Sequence, residues 1–186
     1  KKPVFVESHR MNLFTTRGLD VDVVLDLMIH DLDIILHMVP SEVKEVHAVG
    51  MPVITKKTDI ANARIIFEDG TAATLTASRV SGKMLRKIRV FQPDAYISAD
   101  CGKRQLTVIS LDNQKKNSHN FPEVNTSKEK YDDSDPLNDE ITSFVTAVIN
   151  RSEPVVTGED GRNALRVALT IIDQIERGCK NFRPAF

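Results

Sequence analysis

Apolar and polar residues alternate from Pro3 to His9, with Val4, Val6 and Ser8 on one side and Phe5, Glu7 and His9 on the other, which predicts a strand. Residues 12 to 22 hold Thr15, Thr16, Gly18 and scattered charges without a period and read as a loop. From Val23 to Met38 the apolar positions Val24, Leu27, Met28, Leu32, Ile35 and Leu36 recur at spacings of three and four, a helix that Pro40 ends. The pattern then turns to β, with strands expected at Val43 to Val53, Ala61 to Glu68, Thr71 to Arg79, Leu85 to Phe91, Ala95 to Asp100 and Arg104 to Ser110. Asp69-Gly70 marks a tight hairpin turn, because Gly accepts the positive φ that such turns need.

No long helical pattern separates these strands, so consecutive hairpins in an antiparallel meander are expected. Residues 112 to 135 are polar and mixed in charge, which fits a solvated excursion with one edge strand. Asp135 can cap and Pro136 can start a helix whose expected core face is Leu137, Ile141, Phe144, Val145 and Val148. A last helix, Asp160 to Arg177, is expected to bury Leu165, Ala168, Leu169, Ile172 and Ile175 and to stop at Gly178. The fold class is α+β, with an open, predominantly antiparallel sheet of about six or more strands and helices packed on one face. The uncovered face is the expected interface of a homodimer or homotetramer.

Composition narrows the function. At 186 residues, 41% hydrophobic and 27% charged, the chain fits one soluble domain spanning residues 1 to 186. The 25 basic and 26 acidic residues leave a net charge of −1, without the basic footprint of a nucleic-acid partner. Apolar runs such as Val23-Val24-Leu25 are far too short to span a membrane, and no signal-peptide pattern is present, so a cytoplasmic location is expected. Cys101 and Cys179 form no CxxC pair, which excludes a zinc ribbon or redox motif, and both are expected to be free. The sequence opens on Lys1 and runs straight into a strand, as a piece of a longer polypeptide would.

The candidate chemistry lies on the first helix, where Asp26, His30, Asp33 and His37 share one stripe. A carboxylate one turn before an imidazole can orient it and raise its basicity, preparing it to take a proton from a hydroxyl. Spacing alone leaves open the alternative of a solvated helix face at the sheet border. Zinc or iron on His30, Asp33 and His37 is a weaker reading, since nothing else supplies a fourth ligand, and no metal is expected. His9 and Arg10, at the end of the first strand, and Arg79 and Lys83, around Gly82, are candidate substrate-binding residues; an exposed strand end and an ordinary hairpin loop are the alternatives. Lys2-Pro3 and His119 carry no signal above surface noise. The eight glycines contain no G-x-G pair, so these residues cannot build a dinucleotide phosphate loop.

Asp26-Leu27-Met28-Ile29-His30-Asp31-Leu32-Asp33, followed by a β meander and then by Glu159-Asp160-Gly161-Arg162-Asn163-Ala164-Leu165, resembles the C-terminal domain of the Gfo/Idh/MocA oxidoreductases over nearly the whole chain. Asp22 to Asp31 and Phe91 to Ser98 look like the branch that oxidises UDP-N-acetylglucosamine at C3, a step toward lipid A. The resemblance implies a partner Rossmann domain, outside this chain, that holds NAD or NADP, while this domain supplies part of a sugar or nucleotide-sugar site. It assigns the proton-accepting role to His30 and the orienting role to Asp26. The chain by itself would then be inactive. A noncatalytic binding or oligomerisation module of the same fold is the competing expectation.

Overall fold

The computed structural model describes residues 1–116, 121–132 and 135–178; His119 and Cys179 lie outside them. The strands are β1 (Phe5–Met11), β2 (Val43–Met51), β3 (Ile60–Phe67), β4 (Ala72–Ser78), β5 (Leu85–Gln92), β6 (Ala95–Asp100), β7 (Gln105–Lys116) and β8 (Pro122–Lys130). A π-helical turn, Val24–Met28, runs directly into α1 (Ile29–Met38), and α2 (Pro136–Asn150) and α3 (Gly158–Gly178) follow the sheet. All eight strands join in one sheet ordered β2-β3-β4-β1-β5-β6-β7-β8.

The order corrects the expected meander at one point. β4 and β5 are not neighbours, because β1 lies between them, parallel to β4 and antiparallel to β5. Burial explains the insertion. Val6 and Ser8 are fully buried on one face of β1, a position only a central strand provides, and they meet Ala73 and Leu75 of β4 on one side and Val90 and Ile88 of β5 on the other. The Asp69-Gly70 turn joins β3 to β4 as expected, with Gly70 at φ 85°.

One sheet face carries the core. Ala61, Ala63, Ile65 and Phe67 of β3, with Ala73, Leu75 and Ala77 of β4, lie beneath Val24, Met28, Leu32 and Ile35 and beneath Val167, Ala168, Ile171 and Ile175 of α3. Each of these larger aliphatic side chains contributes about 1.5–3 kcal/mol by leaving water. Edge strand β2 is closed off by α3, where Gln174 accepts from the Ala48 N–H at 2.9 Å and donates to the Val46 carbonyl. Gly50 permits this approach: a Cβ there would lie 2.8 Å from Thr58 Cγ2 and 3.0 Å from Ile175 Cδ1. The opposite face is polar at its centre, with Arg89 donating to Glu7 at 2.6 Å and Asn62 to Thr76 at 2.9 Å, and aromatic at one end, where Phe91 sits between Phe5 and Tyr96.

Two helices depart from expectation. α2 starts as predicted, with Asp135 accepting from Leu137 N and Asn138 N. Its apolar stripe does not enter the core, however: Leu137, Ile141, Phe144, Val145 and Val148 are all exposed, and only Ala147 is buried. In α3 the buried stripe is Ala164, Val167, Ala168, Ile171 and Ile175, so Leu165 and Leu169 face outward. The helix is hydrogen-bonded to β2 through Gln174, and Val167, Ala168, Ile171 and Ile175 take the core side, which turns the leucines away.

Candidate active site

The π-helical turn sets the geometry. Asp22 begins it by accepting from Val24 N through its side chain at 3.0 Å and from Asp26 N through its carbonyl at 2.9 Å. Ile29 N then reaches back five residues to the Val24 carbonyl, the π pattern, before α-helical bonding resumes. Such insertions recur at functional sites. Asp26 therefore sits in the π turn and His30 in the first turn of α1, one turn apart across the junction. Asp26 and Asp33 are part-exposed and His30 and His37 exposed, while Asp31, Leu32 and Ile35 are buried.

Asp26 lines a pocket of about 210 Å³ together with Asn12, Thr15, Arg17, Arg79 and Met84; His30 is outside its wall. The Asp26 carboxylate lies 3.7 Å from Arg79 Nη2. Gly18, held at φ 69°, passes beside the same carboxylate. Arg79 is buried and ties this loop down, with Nη1 donating to the Gly18 carbonyl and Nη2 to the Val21 carbonyl, each at 2.7 Å. Its Nε lies 3.9 Å from the buried Asp59 carboxylate. Both Nη groups of Arg79 are thus committed to backbone carbonyls, and the side chain shapes the Asp26 pocket from within. Arg79, a candidate substrate-binding residue in the sequence, thus lines the pocket while its Nη groups hold the loop.

Asp59 organises the layer behind Arg79. Its Oδ2 accepts from Val53, Ile54 and Thr55 N–H at 2.7–2.8 Å, and its Oδ1 accepts from Thr55 Oγ1 at 2.7 Å. Burial pushes this carboxyl upward, but the hydrogen bonds from Thr55, Ile54 and Val53 outweigh it and hold the group below the usual carboxylate range.

The other candidates separate. His9 and Arg10 are neighbours in a strand and so point to opposite faces. His9 shares the open face with Glu7, its Nε2 4.0 Å from the carboxylate, and lies across the sheet from α1. Arg10 is on the helix face, where it donates to Asp31. The pair therefore does not form one substrate-binding unit. Lys83 is exposed in the loop between β4 and β5. Among the described residues no three His, Cys, Asp or Glu side chains gather as a metal site, and no helix is long and apolar enough to cross a membrane. Sequence reasoning passed over Asn12, Thr15 and Arg17, since nothing in the aperiodic loop marks them as pocket residues.

An open, mostly antiparallel sheet with helices packed on one face defines an α+β domain. The description GFO/IDH/MocA C-terminal domain matches residues 5–97, and the chain belongs to that family. It is 33% identical over 177 residues to UDP-N-acetylglucosamine 3-dehydrogenase from Acidithiobacillus ferrooxidans, covering 94% of this chain and 55% of that protein. A solved structure of that dehydrogenase superposes with a TM-score of 0.84 at 33% identity, over 94% of this chain and 54% of the other. Myo-inositol 2-dehydrogenase from Thermotoga maritima is 32% identical over 149 residues, covering 76% of this chain and 43% of its own length. The chain thus spans about half the length of the curated relatives it matches.

Proposed function

We propose that this chain is the substrate-binding and catalytic half of an NAD(P)-dependent dehydrogenase that oxidises a sugar hydroxyl, with a UDP-N-acetylglucosamine-like nucleotide sugar as substrate. The observation that carries the reading is the placement of Asp26 and His30 one turn apart across the π–α junction, the one part-exposed and the other exposed on a segment that buries Val24, Leu27, Met28, Leu32 and Ile35. Core packing requires neither residue there. The 33% identity to a UDP-N-acetylglucosamine 3-dehydrogenase, over nearly the whole chain, supports the choice of substrate.

Asp26 accepts a hydrogen bond from the reacting hydroxyl and fixes its orientation, while His30 takes the hydroxyl proton as the alcohol becomes a ketone. Arg79 Nη2, 3.7 Å from the Asp26 carboxylate, lines the same pocket. A bound nicotinamide supplies the hydride acceptor for this chemistry. The residues present fit the substrate end of the reaction and not the dinucleotide phosphates, because no glycine-rich loop is among them. That binding belongs to a Rossmann domain in the full-length protein, and the polar and aromatic open sheet face joins copies into a homo-oligomer.

The test is to incubate the full-length protein with NAD or NADP and a panel of UDP-sugars and to follow nicotinamide reduction. Oxidation of UDP-N-acetylglucosamine at C3 is expected, with none from residues 1 to 186 alone. No reduction with any sugar would overturn the assignment.

A further inference from the structure

Along α2, Leu137, Ile141, Phe144 and Val148 recur at steps of four, three and four and share one stripe, while Asp139, Ser143, Thr146 and Asn150 fall on the opposite side. The stripe is 54–65% exposed, and Ala147, which lies off it, is the one buried residue of the helix. A helix of 15 residues is marginal in water by itself and draws most of its stability from packing such a face. Apolar exposure continues on α3, where Leu165 and Leu169 face outward. Unpartnered apolar surface on two successive helices marks an interface.

The structure separates the occupants that could cover it. The domain core includes no residue of α2, so the stripe has no seat there. A second copy could offer the same stripe, but α2 holds about two heptads, fewer than the three or four that sustain a coiled-coil seam. A covalently joined partner has an advantage over both, because it is present at an effective concentration of about millimolar. The relatives carry such a partner: the matching family is a C-terminal domain, and this chain spans about half of their length.

We propose that the apolar stripe of α2 is the docking surface for the N-terminal half of the same polypeptide, which buries Leu137, Ile141, Phe144 and Val148 and makes α2 a strap between the two halves. The inference needs that half to be present, as the dehydrogenase reading does, but it does not depend on the reaction.

Hydrogen exchange read by mass spectrometry, on the full-length protein and on residues 1 to 186 over a range of protein concentrations, measures the burial directly. Amides from Ile141 to Asn150 are expected to exchange about 100-fold or more slowly in the full-length protein than in residues 1 to 186, at every concentration. Phe144→Asp in the full-length protein should cut that protection about tenfold or more, while β3 and β4 keep theirs, because an unpaired carboxylate cannot be buried in the stripe. Equal rates in the two proteins, or a Phe144→Asp helix as protected as wild type, would overturn the proposal. Protection that fades on dilution would also overturn it and assign the stripe to a second copy. If Phe144→Asp fails to fold, the wild-type comparison decides alone. Nicotinamide reduction on the same sample tests the dehydrogenase reading separately: α2 protection with no sugar oxidised overturns that reading and leaves the docking surface standing.

Discussion

Arg10 and Asp31 meet across the seam between β1 and α1, with Nε at 3.0 Å and Nη2 at 2.6 Å from the same Oδ1, while Ser8 donates to Oδ2 at 2.7 Å. The Asp31 side chain is 5% exposed, and it immediately follows His30 in the chain. The strand thereby fixes the first turn of the helix that presents the imidazole. Removing one partner of a buried pair leaves an uncompensated charge, so Arg10→Met should cost about 3–5 kcal/mol in urea unfolding. The double variant Arg10→Met/Asp31→Leu should recover most of that loss. A single variant as stable as wild type would show that the pair does not hold the seam.

Asp59 gives the fold a pH dependence of definite sign. Its folded-state carboxyl titrates below the unfolded value of 3.8, so its contribution is fully present above that value and is lost as pH falls through the folded one. Asp59→Asn should cost about 2–3 kcal/mol at pH 7, because charge-assisted bonds to three N–H groups and one hydroxyl are weakened. The gap between wild type and variant should narrow below about pH 4 in acid-unfolding curves. A gap that stays constant from pH 7 to pH 3 would remove the carboxylate charge from the account.

Much of this architecture is legible locally. Asp69-Gly70 announces its turn, and the strands from Val43 to Asp100 fall within two residues of where alternation places them, because hairpin pairing depends on neighbours in sequence. The position of β1 is not legible in that way. Val6 and Ser8 become central only when β4 and β5 close around them from some 65 and 80 residues away, a non-local choice that no window of the chain contains. The same limit applies to the site. The spacing of Asp26 and His30 is visible in the sequence, but the π turn that carries Asp26 is not. Nor is the diversion of Arg79 to the Gly18 and Val21 carbonyls, which depends on where a distant loop comes to rest.

At Gly50 the edge strand has little room to spare beneath α3. A Cβ would lie 3.0 Å from the Ile60 carbonyl oxygen as well as against Thr58 and Ile175, and a backbone oxygen in a paired strand cannot yield as a flexible side chain can. Gly50→Ala should therefore destabilise by about 1–3 kcal/mol through overpacking. Thermal unfolding monitored by circular dichroism reads this directly. An alanine that is neutral or stabilising would mean that α3 moves off β2 at little cost.

On the proposed dehydrogenase reading, His30→Ala in the full-length protein should lower kcat by about 10²-fold or more, the ordinary loss for a group that takes the proton in the transition state. Asp26→Asn should also lower kcat, because the orienting carboxylate loses its charge beside Arg79. Neither should affect stability appreciably, since His30 is exposed and Asp26 is 39% exposed. Steady-state kinetics with UDP-N-acetylglucosamine separates the outcomes. A His30→Ala enzyme with near wild-type turnover would take the imidazole out of the chemistry.

The contrast between α2 and α3 yields a final expectation. Phe144 looks like a core residue in the sequence, yet it is 58% exposed, whereas Ile171 is fully buried between α3 and the sheet. Burial, not apolar character, decides what a substitution costs, because a side chain already in water forfeits little transfer free energy when it is shortened. In residues 1 to 186, Phe144→Ser should change stability by no more than about 0.5 kcal/mol, while Ile171→Ala should cost about 2–5 kcal/mol. Urea titration of the two variants side by side distinguishes them. Equal losses would mean that the α2 stripe is buried in solution, either by packing onto the domain or by association of chains, and sedimentation at several concentrations separates those two cases.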